Sequence, residues 1–346
     1  MERKLATVRI VKDIVSILGA DNIELALIDG WQVVVRKGDF KAGDCCVYVE
    51  IDSILPEKPE FEFLRPRNFR IKTIKLRKQL SQGIAFPISI LEGKKYKSDT
   101  RESPVYDFCV HMDVTELLEI KKYEPYIPAH LSGLVRGSYP SFLIKTDEER
   151  VQNLEYLLEW CKGKRFYVSE KLNGTSMTCY IKDGEFSVCS RNLDLKETPD
   201  NAYWKVARRE NIEKKLNQTE GNWAIHGELI GSGIQKNKYN FANDTYAYKI
   251  FSVFNINTGQ YLDGLGMERF CADYGFYTVP ILNYYFYLNH SINDLLNMAD
   301  GYSQINPLTL REGLVFRTIP ESYHPKVGRV SFKAVSNKYL LKHGDE

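Results

Sequence analysis

An amine attacks phosphorus only in its neutral form. At the ordinary lysine pKa of about 10.4, roughly one side chain in 2,500 is neutral at pH 7, so a nucleophilic lysine needs a cation or metal nearby. Ser169-Glu170-Lys171-Leu172-Asn173-Gly174-Thr175 offers a candidate: a lysine between two strand-like runs, in a tight turn containing glycine. A K-x-x-G pattern should arise about once by chance in a chain of this length and composition. Taken alone, Lys171 reads as a surface loop lysine, and its meaning depends on what accompanies it.

Several segments do accompany it, in order along the chain. Ser190-Arg191-Asn192 closes a hairpin strand that returns towards Lys171, and the planar fork of Arg191 suits ribose or phosphate oxygens. His226-Gly227-Glu228-Leu229 sets a carboxylate inside the apolar run Trp223–Ile230, where a charge is costly unless used or paired; a ribose hydroxyl or an internal ion pair would serve. Phe251, on the aromatic strand Tyr248–Phe254, can stack on a base or fill the core. Glu312, opening the apolar run Gly313–Arg317, suits a hard cation with water ligands, or simply a turn. Lys333, within Val330–Val335, suits an anion, or blunts an edge strand.

These residues must be carried by sheets. Arg165–Ser169, Ser176–Ile181, Phe186–Ser190, Asn222–Ile230, Tyr246–Asn255, Gly313–Thr318 and Val330–Val335 read as strands, with Asp183-Gly184 as a two-residue hairpin turn. Asn201–Leu216 reads as a helix. Thr146-Asp147-Glu148-Glu149 has a capping-box pattern and predicts a helix from Thr146, with Val151, Leu154, Leu158 and Cys161 along one face. Upstream, Ala6–Leu18, Glu24–Val35, Cys45–Ile51, Arg70–Leu76 and Ile84–Ile90 are short β-rich runs broken by Asp29-Gly30, Lys37-Gly38, Gly43-Asp44 and Gln82-Gly83. That pattern suits a small Greek-key barrel of the OB type, and an SH3-like barrel almost as well. The Pro- and Gly-rich stretch from Tyr123 to Pro140 reads as a linker.

With 346 residues, 43% hydrophobic and 27% charged, the chain has material for two cores and is not a disordered polymer. No apolar run approaches the roughly 18 residues of a membrane span, and Met1-Glu2-Arg3-Lys4-Leu5 has no signal-peptide core, which predicts an intracellular protein without fixing its compartment. The seven cysteines include no C-x-x-C pair and read as reduced, mostly packed thiols. The net charge of +2 hides a basic run from Phe63 to Lys78 (Arg65, Arg67, Arg70, Lys72, Lys75, Arg77, Lys78) with no acidic residue. It fits a polyanionic partner or a strand with a solvated basic face. No heptad or apolar patch predicts an oligomer, so a monomer is the expectation.

The order Lys, Arg, Glu, Phe, Glu, Lys resembles the covalent nucleotidyltransferase superfamily of RNA ligases, DNA ligases and mRNA-capping enzymes. Lys171-Leu172-Asn173-Gly174 resembles its nucleophile motif K-x-D-G, and Ser190-Arg191-Asn192, Gly227-Glu228-Leu229, Phe251-Ser252-Val253, Glu312-Gly313-Leu314-Val315 and Lys333 resemble the motifs that follow. Glu170 and the S-R-N motif are similar to RNA ligases rather than DNA ligases. Gly30–Val35, Gly43-Asp44, Glu50–Pro56 and Lys145–Leu154 are similar to the ATP-dependent RNA ligases of the Naegleria/Deinococcus type, which carry an N-terminal OB domain.

The resemblance implies an α+β protein: an OB-like β-barrel over residues 1–120, a linker over 121–144, and a nucleotidyltransferase (ATP-grasp-like ligase) domain of antiparallel sheets flanked by helices over 145–346. It implies an ATP-dependent RNA ligase acting with Mg²⁺ or Mn²⁺ on RNA with 3′-OH and 5′-phosphate ends, in a nicked duplex or another break, through lysyl-AMP and adenylylated RNA. Lys171 would be the nucleophile. Glu170 would meet the adenine amino edge, Phe251 the ring, Arg191 and Glu228 the ribose, and Lys333 the α-phosphate. Glu312, with Asn173 through water, would hold the metal, and Gln152 would touch the nucleotide. Arg65, Arg67, Arg70, Lys72 and Lys75 would contact RNA phosphates. Two departures stand out: Asn173 where the motif has Asp, and Ser331 where the last motif, K-x-K, has its first lysine. They leave open a catalytically silent RNA-binding protein, and the shared lysine chemistry leaves open a GTP-dependent capping guanylyltransferase.

Overall fold

The structure is a computed structural model that describes residues 4–77, 79–98, 101–104, 109–123 and 134–343. Contacts divide the chain into Met1–Tyr126 with Leu340–Glu346, and Ile127–Tyr339.

In the first unit, antiparallel strands are ordered Trp31–Arg36, Ile23–Ile28, Ala6–Ser16, Cys45–Val49, Ile84–Pro87. Ala6–Ser16 serves two partners: Ala6–Ile10 pairs with Cys45–Val49, and Val11–Ser16 pairs with Ile23–Ile28 across a register shift at Val11–Asp13. A long strand bent at such a bulge lets a small sheet curl over one core. Val8, Ile28, Trp31, Val33, Val47 and Val49 fill that core. The basic run does not form the predicted strand. Pro59–Arg67 is a 3₁₀ helix with Pro66 inside it, and only Ile74–Leu76 is extended in a ladder. Left-handed backbone at Asn68 and Phe69 (φ 50° and 57°) ends the helix and turns Arg70 inward.

The second unit is built on two sheets. One is ordered Val135–Ser138, Leu193–Leu195, Glu185–Cys189, Thr175–Lys182, Trp223–Gly231, Tyr246–Asn255, Gln260–Tyr261. The other is ordered Glu149–Arg150, Ser331–Val335, Gly313–Thr318, Arg165–Lys171, Ile281–Tyr287. Strand alternation divides the second sheet's work. Phe166, Leu314, Phe316, Phe332 and Ala334 point to one face and pack into a core, with Phe316 and Phe332 stacked 5.0 Å apart. The cross-strand register puts Lys171, Gly313, Val315, Arg317, Ser331 and Lys333 on the other face.

Several expectations need adjusting. The helix does not begin at Thr146. Residues 144–148 form no helix, Glu149–Arg150 pairs in parallel with Phe332 and Lys333, and the α-helix runs only from Glu155 to Trp160. The capping box fails because Glu149 Oε1 instead accepts from Asn153 Nδ2 at 2.8 Å. Val151, Leu154, Leu158 and Cys161 are nevertheless buried together. The predicted helix Asn201–Leu216 is broken at Asn211, which has φ 53°. Asp183-Gly184 forms the expected hairpin turn, both residues having positive φ. Within the expected linker, Val135–Ser138 is a strand and Lys121–Lys122 pairs with Ser53–Ile54, while residues 124–133 lie outside the described residues. Five of the seven cysteines are buried.

His226 is fully buried beside Phe254 and Tyr261, with Nδ1 3.1 Å from Thr178 Oγ1. Burial, reinforced by Arg329 and Arg317, pushes its pKa from 6.5 down to about 3. The unfolded chain therefore binds a proton at this residue between those two values and the folded chain does not. The stabilisation is complete above pH 6.5 and is lost as pH falls towards 3. The wild type should lose roughly 2 kcal/mol of unfolding free energy from this group between pH 8 and pH 5. Urea unfolding of His226→Asn should show a correspondingly shallower pH dependence, and parallel curves would contradict this account.

Candidate active site

Lys171 ends its strand directly opposite Gly313, which brings its Nζ 2.6 Å from Glu312 Oε1. Gly313 is required there: a Cβ would lie 2.3 Å from the carbonyl oxygen of Ala334 on the adjoining strand. Gly174 has the same role in the turn, where a Cβ would lie 2.4 Å from the carbonyl oxygen of Leu229 and 2.8 Å from Glu228 Cγ. The glycine of the lysine motif thus lets the turn close against the strand that carries Glu228.

Burial favours the neutral amine of Lys171, but the carboxylates of Glu312 and Glu228 outweigh it and raise the pKa. The Glu228 carboxyl is itself pushed up to about 8 by burial and by Glu312, against the pull of Lys171 and Arg191. Ligand-free, the amine is therefore held as an ammonium. A cation that took up the carboxylate charge would favour the neutral amine.

Of the remaining predicted residues, Arg191 is near enough to act on the charge of Glu228. Arg191 Nη2 lies 2.7 Å from Asp147 Oδ2, and Lys333 Nζ lies 3.3 Å from Asp147 Oδ1. Phe251 is half-buried, with the Arg317 guanidinium 5.6 Å from its ring centroid. Asn173 donates its backbone N–H to Tyr239 Oη at 2.8 Å, and its Oδ1 is buried without a partner. Glu170 points away from Lys171 by strand alternation. Its Oε2 accepts the Gln304 N–H at 2.8 Å, its Oε1 has no partner, and burial raises its pKa. Gln152 is buried with neither amide atom bonded. Buried polar groups are rarely left unpaired, so these atoms are open to a ligand. Ser331 stands directly opposite Arg317, so a cation already occupies that part of the face.

Among the described residues there is no cluster of three or more His, Cys, Asp or Glu side chains that could hold a metal. Glu312 with the Asn173 amide oxygen still fits a hydrated Mg²⁺ or Mn²⁺ ion, which keeps most of its water ligands.

The basic run is only partly available. Arg67, Lys72, Lys75 and Arg77 are exposed, and Lys78 lies outside the described residues. Arg65 is neutralised by Glu62 at 2.5 Å and Glu57 at 3.3 Å. Arg70 must be set apart from the expected phosphate contacts. It is buried, 3.3 Å from Asp52, with its guanidinium 3.5 Å above the Tyr123 ring.

Sequence reading missed Asp147, Arg150 and Arg317. Arg150 opposes the raised pKa of Lys171. Arg317 is 1% exposed and paired with Glu148. The acidic pair Asp147-Glu148 looked like helix-start chemistry, and only the pairing partners, distant in sequence, show its use.

Comparison with known proteins agrees with this layout. An OB-fold domain model matches residues 5–88, and an RNA ligase model matches residues 164–335. The Naegleria gruberi RNA ligase solved with PPi is 39% identical, covers 99% of each chain and superposes with a TM-score of 0.87. A mutant of that enzyme with ATP and Mn is 38% identical over 98% of each chain, TM-score 0.85. Another with AMP and Mn is 39% identical, covering 99% of this chain and 98% of that one, TM-score 0.86. No curated protein sequence matches the chain. An OB-fold domain followed by a lysine-centred site on two sheets, matched end to end by a solved RNA ligase, makes this chain a member of the RNA ligase family.

Proposed function

We propose that the protein is an ATP-dependent RNA ligase that joins a 3′-OH to a 5′-phosphate through lysyl-AMP. The observation that carries this reading is Lys171 at the strand end, 2.6 Å from Glu312.

Lys171 Nζ attacks the α-phosphorus of ATP, forming a P–N bond, breaking the bond to pyrophosphate and losing its proton. An oxygen of the RNA 5′-phosphate then attacks the adenylyl phosphorus, and the lysine leaves. The 3′-hydroxyl oxygen finally attacks the 5′-phosphate phosphorus, and AMP leaves as the phosphodiester forms. The site's contribution is mainly positioning and charge neutralisation. Phe251 supports the base, Arg191 and Glu228 hold the ribose, and Lys333 faces the α-phosphate. Glu170 Oε1 and the Gln152 amide offer unpaired atoms to the nucleotide. Glu312 and Asn173 would hold a divalent cation, which supplies the positive charge that lowers the lysine pKa and offsets phosphate charge.

Incubation with α-labelled ATP and a divalent cation should leave AMP on the wild-type protein in an acid-labile bond that survives denaturation. Lys171→Ala should carry none. Label from GTP but not ATP would favour guanylyl transfer, and no label from either would favour a silent RNA-binding protein.

In the first unit, Lys72, Lys75 and Arg77 are the exposed candidates for phosphate contact. Replacing all three with alanine should weaken binding to nicked RNA and reduce the slope of log K against log salt by up to about 2.7. Adenylylation of Lys171 should persist, and an unchanged salt slope would remove these residues from the RNA interface.

A further inference from the structure

We infer that Asp147 is a positioning residue that sets Arg191 and Lys333 as a two-cation clamp for the ribose–phosphate part of the nucleotide; this rests on the adenylylation of Lys171 proposed above.

The segment 145–150 is a strap stitched to both sheets. Lys145 Nζ donates to Asn192 Oδ1 at 2.9 Å, beside Arg191 at the end of the hairpin in the first sheet. Asp147 then spans Arg191 and Lys333, at 2.7 and 3.3 Å. Glu148 pairs with the buried Arg317 of the second sheet. Glu149 and Arg150 join the ladder beside Phe332 and Lys333. Glu148 anchors the strap in the interior, and Asp147 is presented to the site.

The two cations come from different sheets, and no backbone ladder sets the distance between them. Like charges repel, and an arginine with half its side chain exposed has many rotamers to lose when it binds a ligand. A single carboxylate touching both offsets the repulsion and holds both heads before the nucleotide arrives. Its loss should therefore appear mainly in nucleotide binding.

Lysyl-AMP formation is measured across ATP concentrations for wild type, Asp147→Ala, Asp147→Asn and Asp147→Glu, with the thermal midpoint of each. Alanine and asparagine should raise KM for ATP about tenfold with a smaller change in maximal rate, and glutamate should recover part of the loss. The midpoints should stay close to wild type, because the Asp147 side chain is 41% exposed. In an Arg191→Ala background, Asp147→Ala should cost much less than alone, as expected of residues acting through one another. An unchanged KM overturns the inference, as does a lower KM in Asp147→Asn, which would make the carboxylate a competitor of the nucleotide. Additive effects in the double variant, or a fall in midpoint with equal losses in KM and rate, overturn it too. Absence of label on the wild type removes the adenylylation reading itself, a result distinct from a labelled wild type with indifferent Asp147 variants.

Discussion

The site depends on one register: Lys171 opposite Gly313 in the antiparallel pair Arg165–Lys171 and Gly313–Thr318. Side chains alternate along a strand, so a slip of one residue would send Lys171 into the phenylalanine core and bring Glu170 to the reactive face. That core is what pins the register. Phe166, Phe316 and Phe332 interlock on the opposite face, with ring centroids 5.0–5.7 Å apart. Packing and chemistry are thus two faces of one sheet, and the burial that stabilises one face sets the distance between lysine and carboxylate on the other.

The ligand-free site is internally neutralised. Lys171 has Glu312, and Arg191 and Lys333 share Asp147. Arg317 has Glu148, and Arg329 has Glu321. Paired in this way, a high density of charge can be tolerated in a folded interior. The same pairing keeps Lys171 protonated, so the resting state is stable because it is unreactive. A cation arriving at Glu312 would relieve the Lys171 ion pair, whereas the carboxylate of Asp147 can stay between its two cations. The unsatisfied atoms of Gln152, Glu170 and Asn173 are the complementary feature, polar groups with no partner inside the chain.

The two departures from the family motifs look different once placed. Asn173 retains an acceptor oxygen in a buried position, and its backbone is held by Tyr239, so the turn does not depend on a carboxylate. Ser331 stands across from Arg317, where a lysine would set two cations directly opposite each other on one face. The ion pair of Arg317 with Glu148 fills that part of the face without a second lysine.

What could be read from the sequence was local. The strands that carry Lys171, Glu228, Phe251 and Lys333, the Asp183-Gly184 turn and the barrel-like N-terminal runs were legible because alternation and turn chemistry act over a few residues. The helices Gly264–Tyr274 and Ile292–Ala299 and the strand Ile281–Tyr287 went unassigned. The segment from Thr146 was misread as a helix start because its acidic residues match a cap equally well. The sequence by itself determined which residues could do the chemistry and in what order they occur. Only the tertiary structure decided that Arg70 turns inward, that Asp147 reaches two cations and that Glu312 meets Lys171 across 141 positions of chain. Long-range pairing of charges depends on where separate strands come to lie, and no short stretch of sequence encodes that.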